Sequence, residues 1–157
     1  MKIALVQTGK TTDKNVAGIA DLYVSRIKKY IPFEIITLPD IKNSATLPVQ
    51  DQKIKEGKKI LQAFNDDDFI VLLDEKGKEF RTAEFSSWME KSLMISRKRI
   101  VFVIGGAWGF SDEVYGRADL RISLSKMTFP HQLVRLLFLE QLYRIFTIIR
   151  GEPYHHE

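Results

Sequence analysis

The sequence predicts an α/β fold: a mostly parallel β-sheet with helices on both faces. Three observations lead there. Short apolar runs recur without polar alternation, as in Ile3 to Val6, Phe69 to Leu73 and Ile100 to Ile104. Strands of that kind are buried on both faces. Segments with a helical apolar period separate them, giving the order β-α-β-α-β-α-β-α-β-α. Finally, two of the runs end abruptly in small, flexible or hydroxyl-bearing residues. These are Gly105, Gly106 and Gly109 after the fourth strand, and Ser125 to Phe129 after the fifth. The carboxyl ends of strands are where open α/β sheets bind ligands.

Taken in order, Ile3 to Val6 is the first strand. Thr12 or Asp13 caps a helix from Lys14 to about Tyr30, with Val16, Ile19, Ala20, Tyr23, Val24 and Ile27 on its apolar face. Phe33 to Leu38 is the second strand and Pro39 to Leu47 a loop. Pro48 suits the first turn of a helix running to about Phe64. Ile54, Ile60 and Leu61 point inward on this helix, and Lys53, Lys55, Lys58 and Lys59 outward. That lysine face reads either as a phosphate-contacting patch or as a solvated helix surface. Phe69 to Leu73 is the third strand and Asp74 to Lys78 a loop. Thr82 caps a helix to about Ile95, with Phe85, Trp88, Met89 and Leu93 facing in. Ile100 to Ile104 is the fourth strand, and Ser111 caps a short helix through Arg117. Leu120 to Leu124 is the fifth strand. His131 to Arg150 is the last helix.

Of the residues from Gln132 to Arg150, 12 of 19 are apolar. A helix apolar over most of its circumference needs more cover than one sheet supplies. A second copy of the chain is the expected cover, since two-fold dimers are the commonest closed assembly. A helix sandwiched within the monomer is the alternative.

The 157 residues carry a net charge of +4 with a pI near 9.2. That balance is compatible with nucleic acid as partner. There is no cysteine, so thiolate chemistry and cysteine-ligated metals are excluded. The first ten residues have too short an apolar core for a signal peptide, and no run approaches a membrane span. A cytoplasmic location is the expectation. The sequence lacks the phosphate-loop pattern G-x-x-x-x-G-K-S/T, and G-G-A-W-G is not a dinucleotide-binding G-x-G-x-x-G. No G-x-S-x-G or H-E-x-x-H is present. The strand ends Leu73 to Gly77, Gly105 to Gly109 and Leu124 to Phe129 thus form a pocket of backbone, small residues and apolar side chains. Such a pocket suits an adenosine-containing ligand held largely by main chain. The tail G-E-P-Y-H-H-E offers stacking, proton transfer and charge. Adjacent histidines do not easily face one metal, so no metal is expected.

The segments V-I-G-G-A-W-G-F-S and L-S-K-M-T-F-P-H-Q-L-V-R-L-L-F-L-E-Q-L-Y-R, with the terminal E-P-Y-H-H-E, resemble the RlmH family of SPOUT-class methyltransferases of 23S ribosomal RNA. The resemblance runs over essentially the whole chain, including the L-D-E-K-G-K loop. It implies one SPOUT methyltransferase domain over 1–157, a C-terminal trefoil knot and a homodimer. It implies S-adenosyl-L-methionine as cofactor, with Leu73, Gly105, Leu124, Ser125, Lys126, Met127, Thr128 and Phe129 at its site. The implied reaction methylates N3 of the pseudouridine conventionally numbered 1915 in helix 69 of 23S rRNA, on assembled ribosomes. Ala107-Trp108 departs from the smaller or polar residues of many relatives at that place.

The imide N3 has no free lone pair until deprotonated, so this reaction needs a base. His131, His155 and Glu157 are the candidates. Arg135, one helical turn beyond His131, is placed to stabilise developing negative charge on the imide oxygens. Its alternative is an ion pair with Glu140 or a phosphate. Trp108 and Tyr154 are candidates for stacking on RNA bases. Two other functions stay open at this stage. One is a ribosome- or RNA-binding assembly factor without catalysis, and the other is a methyltransferase of the same fold acting on another RNA such as tRNA.

Overall fold

The computed structural model describes residues 1–156; Glu157, one of the candidate bases, lies outside the described residues. Five strands form one sheet in the order β2-β1-β4-β3-β5, and every pairing is parallel. They are β1 (Lys2–Thr8), β2 (Phe33–Leu38), β3 (Asp68–Glu79), β4 (Arg99–Ile104) and β5 (Leu120–Ser123). Five helices cover it, namely α1 (Lys14–Ile27), α2 (Val49–Gln62), α3 (Thr82–Ser92), α4 (Asp112–Arg117) and α5 (His131–Ile149).

The alternation of side chains along each strand divides the core. Ile3, Leu5, Ile100 and Phe102 pack with residues of α1, α3 and α5 on one face. Ala4, Val6, Val101 and Val103 pack with Ile60 of α2 and Val114 of α4 on the other. Both faces of β1 and β4 are therefore dry, which is why their sequences show no polar alternation. Phe102 and Phe138 are both fully buried with ring centroids 4.8 Å apart, seating α5 over the sheet centre. Burying such a side chain is worth roughly 1.5–3 kcal/mol.

Local chemistry sets the helix starts. Asp13, not Thr12, caps α1, its carboxylate accepting from the Asn15 and Val16 amides at 2.8 and 3.2 Å. Ser111 caps α4 through the Val114 amide, 3.4 Å away. Thr82 does not cap α3. Arg81 holds the cap position and its backbone N–H donates to Glu84 at 2.9 Å, while the Thr82 hydroxyl donates to Gln141 of α5 at 3.0 Å.

Two further expectations are corrected. Asp74 to Lys78 is not a loop, because β3 continues to Glu79 and pairs again with β5 after an irregularity between Leu73 and Lys78. Gly77 permits this: a Cβ there would stand 2.7 Å from backbone atoms of Arg121 and Ile122. The inward assignments of Ile19 and Ile54 also fail, both being exposed, at 46% and 40%. In α2 the residues near Ile54 that turn inward are the half-buried Glu56 and the buried Gly57.

Helix α5 lies between α1 and α3. Sheet and flanking helices bury Phe138, Leu139, Leu142, Ile145 and Phe146 within the chain, while Leu133 stays 37% exposed and Leu136 and Leu137 are half-buried. Among the described residues no helix is long and apolar enough to cross a membrane.

Candidate functional site

Because all strands run one way, their carboxyl ends share one edge, and there the irregular stretch of β3 from Leu73 to Glu75 meets the loops after β4 and β5. They enclose a cavity of about 340 Å³. Its wall includes Leu73, Gly105, Leu124, Ser125, Met127, Thr128 and Phe129, together with Asp74, Glu75, Gly106 and Phe110. So one irregular stretch of β3 and two strand ends, separated by long stretches of sequence, come together around one space. Of the residues expected at a cofactor site only Lys126 is absent from the wall. It points outward, 3.6 Å from Glu79, with 83% of its side chain exposed.

Two tight loops shape the cavity. After β4 the chain reverses at Gly106 to Gly109, where the Gly109 amide donates to the Gly106 carbonyl at 3.2 Å. Gly109 has φ +83°, a left-handed conformation that side-chain-bearing residues adopt at a cost. This turn lifts Ala107 and Trp108 to the rim, where Trp108 is 58% exposed. After β5 the Ser123 hydroxyl donates to the Ser125 carbonyl at 2.9 Å, and the Ser125 hydroxyl accepts from the Met127 amide at 3.0 Å. Met127 projects from this loop, 74% exposed, at the mouth.

The floor and mouth carry charge. Asp74 accepts from the Tyr115 hydroxyl at 2.7 Å, and the Arg121 guanidinium lies over the Tyr115 ring at 4.1 Å. Burial, then the Asp74 hydrogen bond, pushes the Tyr115 hydroxyl up to about 12, so it stays a donor. Glu56 of α2 accepts from the Gly106 amide at 2.8 Å. Burial raises the Glu56 carboxyl above its ordinary value, opposed by that hydrogen bond and by His131, and reinforced by Asp40.

Among the described residues the candidate catalytic side chains His131, Arg135 and His155 do not converge within one chain. His131 is exposed and lines the cavity. Arg135 is 3% exposed and turns away from the cavity, its guanidinium donating to the Thr8 carbonyl at 2.5 Å and the Thr11 hydroxyl at 3.2 Å. Burial lowers its pKa. Arg135 does not pair with Glu140, which binds Arg144 at 2.6 Å instead. With Gln132, which accepts from the Thr12 amide at 3.1 Å, Arg135 ties the start of α5 to the β1–α1 loop.

The tail folds back on its own chain. The Tyr154 hydroxyl donates to Glu140 at 3.2 Å, and its ring packs on Tyr143 at 4.8 Å and under the Arg144 guanidinium at 4.8 Å. His155 Nδ1 lies 3.3 Å from Arg144. These partners are more than two helical turns beyond His131, so Tyr154 and His155 stand apart from the cavity wall. Among the described residues no group of three or more histidines, cysteines or acids is placed to hold a metal.

Glu56 and the pairing of Asp74 with Tyr115 are not legible in the sequence, although Asp74 falls within the Leu73 to Gly77 stretch expected at the pocket. Glu56 is one charge among many on a lysine-rich helix, and Asp74 and Tyr115 meet only through the fold. No local signal marks either.

The known proteins similar to this chain agree with the geometry. The family model described as predicted SPOUT methyltransferase matches residues 1–155. A protein of Christiangramia forsetii named ribosomal RNA large subunit methyltransferase H is 52% identical over 156 residues, covering 99% of each chain. One of the same name from Parabacteroides distasonis is 52% identical over 157 residues, covering 100% of both. A solved structure of a probable methylase family protein from Haemophilus influenzae shares the fold alone, with TM-score 0.51 and 12% identity over 95% of this chain and 66% of that one. With a family model and full-length relatives in register from one end to the other, the chain belongs to the SPOUT methyltransferases and, among them, to the family of ribosomal RNA large subunit methyltransferase H.

Proposed function

We propose that the protein methylates N3 of pseudouridine 1915 in helix 69 of 23S rRNA, on assembled ribosomes, using S-adenosyl-L-methionine. The observation that carries this reading is the cavity built by the irregular stretch of β3 and the loops after β4 and β5. Its fit to the cofactor rests on size and chemistry. About 340 Å³ lies within the usual range of ligand pockets, about 300–1,000 Å³. Gly105 and Gly106 bring main chain into the wall, and Leu73, Leu124 and Phe129 offer apolar surface to an adenosine. Bound there, the cofactor supplies an electrophilic methyl group on a sulfonium. Leu73, Gly105 and the Leu124 to Phe129 loop hold and orient it and exclude water from it. Lys126, outside the wall, serves the mouth.

The acceptor N3 must lose its proton as the new bond forms. His131, on the cavity wall, is one candidate to take it. His155 and Glu157 are the others, and in this reading they come from a second copy. The protein is one domain over 1–157, acts as a homodimer, and has a knotted C-terminal part. The knot reading is supported by the path of the chain. It leaves edge strand β5, passes the loop after β4 at a shared cavity, and enters α5 over the sheet centre. The dimer reading is supported by the separation of Tyr154 and His155 from the cavity wall of their own chain. Arg135, buried against the β1–α1 loop, then supports the site from behind, and its guanidinium reaches the imide oxygens only if that loop opens. Trp108 at the rim and Tyr154 on the tail stack on bases of the RNA. The reaction belongs in the cytoplasm, where ribosomes are methylated.

Methyl transfer from labelled cofactor is the direct test. The acceptors are ribosomes lacking the modification, free 23S rRNA and tRNA. Label on ribosomes, mapped by mass spectrometry to N3 of the helix 69 pseudouridine, is expected. Label on tRNA alone, or cofactor binding without transfer to any of the three, overturns the substrate, and the absence of both transfer and cofactor binding overturns the enzyme reading. A second prediction concerns the tail: His155→Ala lowers turnover more than cofactor affinity, and an equal loss of both removes its catalytic role.

A further inference from the structure

Glu56 has no place in the cavity wall, yet it grips the wall from behind. Its Oε1 accepts from the Gly106 amide at 2.8 Å. The contact is close enough that a Cβ on Gly106 would stand 2.7 Å from the same carboxylate. The next residue of α2 engages the other end of the same loop. Gly57 lies so near Ser111 that a Cβ would overlap the hydroxyl, and that hydroxyl caps α4 through the Val114 amide. Two consecutive residues of one helix thus fix both ends of the β4–α4 loop. The inner side of that loop, at Gly105, Gly106 and Phe110, forms cavity wall.

The arrangement is costly. The half-buried carboxylate is desolvated and has another acid, Asp40, near enough to act on it, which the Gly106 amide, His131 and the Thr8 hydroxyl offset. A lysine-rich surface helix has no packing need for an acid at this place. The neighbouring residues Lys53, Lys55, Lys58 and Lys59 are exposed or half-buried and carry the opposite sign.

We infer that Glu56 is a positioning residue for the cofactor: by holding the Gly106 amide it fixes the turn whose backbone the cofactor meets. This rests on the cofactor reading above. Glu56 acts through Gly106 and not by contact with the ligand. A carboxylate oxygen accepts a shorter and stronger hydrogen bond than a neutral amide oxygen, so the bond is well suited to holding a turn rich in glycine.

The test uses the full chain and S-adenosyl-L-methionine itself. Calorimetric affinities are compared for wild type, Glu56→Gln, Glu56→Ala, Gly106→Ala and the Glu56→Ala/Gly106→Ala double variant. Amide hydrogen exchange at Gly106 and Gly109 is followed without ligand. Glu56→Ala is expected to weaken binding about tenfold or more and to speed Gly106 exchange by a similar factor. Glu56→Gln, which keeps an acceptor oxygen, is expected to stay within about threefold. Gly106→Ala should weaken binding alone but cost far less on top of Glu56→Ala, because removing the carboxylate makes room for the methyl group. Wild-type affinity in Glu56→Ala overturns the inference, as do strictly additive losses in the double variant. Absence of wild-type binding overturns the cofactor reading and this inference together. Unchanged Gly106 exchange in Glu56→Ala overturns the inference alone, since no ligand enters that measurement.

Discussion

Asp68→Ala is expected to destabilise the protein by about 3–5 kcal/mol, read as a lowered midpoint in urea denaturation. Asp68 opens β3 and is 1% exposed. Its Oδ1 accepts from Arg99 Nε at 3.0 Å and its Oδ2 from Arg99 Nη2 at 2.5 Å, a two-pronged pairing of planar groups. The same Oδ2 also accepts from the Asn65 amide at 2.7 Å, closing the turn before the strand. Arg99 opens β4 in direct register with Asp68, and also reaches the Ala63 carbonyl at 3.0 Å and Glu34 at 3.4 Å. One guanidinium therefore ties β2, β3, β4 and the end of α2 at the amino edge of the sheet. Removing the aspartate leaves that guanidinium largely dry with Glu34 as its remaining acid, and leaves the Asn65 amide without its acceptor. Asp68→Asn, which keeps an acceptor for one prong, should lose less. Cofactor affinity should not change in either variant, because the cavity is at the opposite edge.

The same cluster gives a sign for pH dependence. The Lys2 hydrogen bond, with help from Arg99 and against desolvation, holds the Glu34 carboxyl below its ordinary value. A depressed folded-state pKa means that the unfolded chain binds the proton more readily. Glu34 therefore contributes stability above its unfolded pKa, about 4.3, and that contribution is lost as pH falls through the folded value. Acid titration of wild type and Glu34→Gln should diverge above that range and converge below it.

Gly77→Ala is expected to damage both stability and the site. The new Cβ would meet the Arg121 and Ile122 backbone at 2.7 Å, where no side-chain rotation relieves it. Either β3 bends away or β5 moves. The pairs Lys78 with Ile122 and Glu79 with Ser123 are then lost, and β5 has only four residues to lose them from. We expect about 1–3 kcal/mol of destabilisation from the overpacking itself. Because β5 leads directly into the Leu124 to Phe129 wall, cofactor affinity should fall at least about tenfold as well. Gly18→Ala is the control. It lies within α1 with nothing within 4 Å of a new Cβ, and should stabilise by about 0.5–1 kcal/mol without touching affinity. Equal behaviour of the two alanine variants would refute the role given to Gly77.

The contrast between Gly77 and Gly109 also shows what the sequence could reveal. Glycines after an apolar run announce a turn at a strand end, so the loop after β4 and most of the cavity wall were legible. The caps Asp13 and Ser111 were legible for a similar reason, since each acts on residues two or three positions away. Gly77 lies in a charged stretch, D-E-K-G-K, that reads as loop. The strand character of this stretch comes from the pairing of Lys78 with Ile122, forty-odd residues later, which no local pattern encodes. Glu56 is hidden in the same way by its fifty-residue separation from Gly106. Arg135 was noticed for its spacing from His131 on one helix. The fold then turned its head group toward the β1–α1 loop, which only the packing of α5 beside α1 could decide.

The strand order has a consequence for how the protein comes into being. The centre of the sheet joins β1 to β4, with Lys2 opposite Arg99, and no strand made in between can substitute for β4 there. A nascent chain thus carries Ile3 to Val6, fully buried in the finished fold, for most of its own synthesis with β2 beside them but β4 still to be made. Such long-range closure makes for slow folding and a long exposure of sticky surface. Truncated chains ending before β4 should therefore be captured by holdase chaperones, whereas chains released after α5 should escape them.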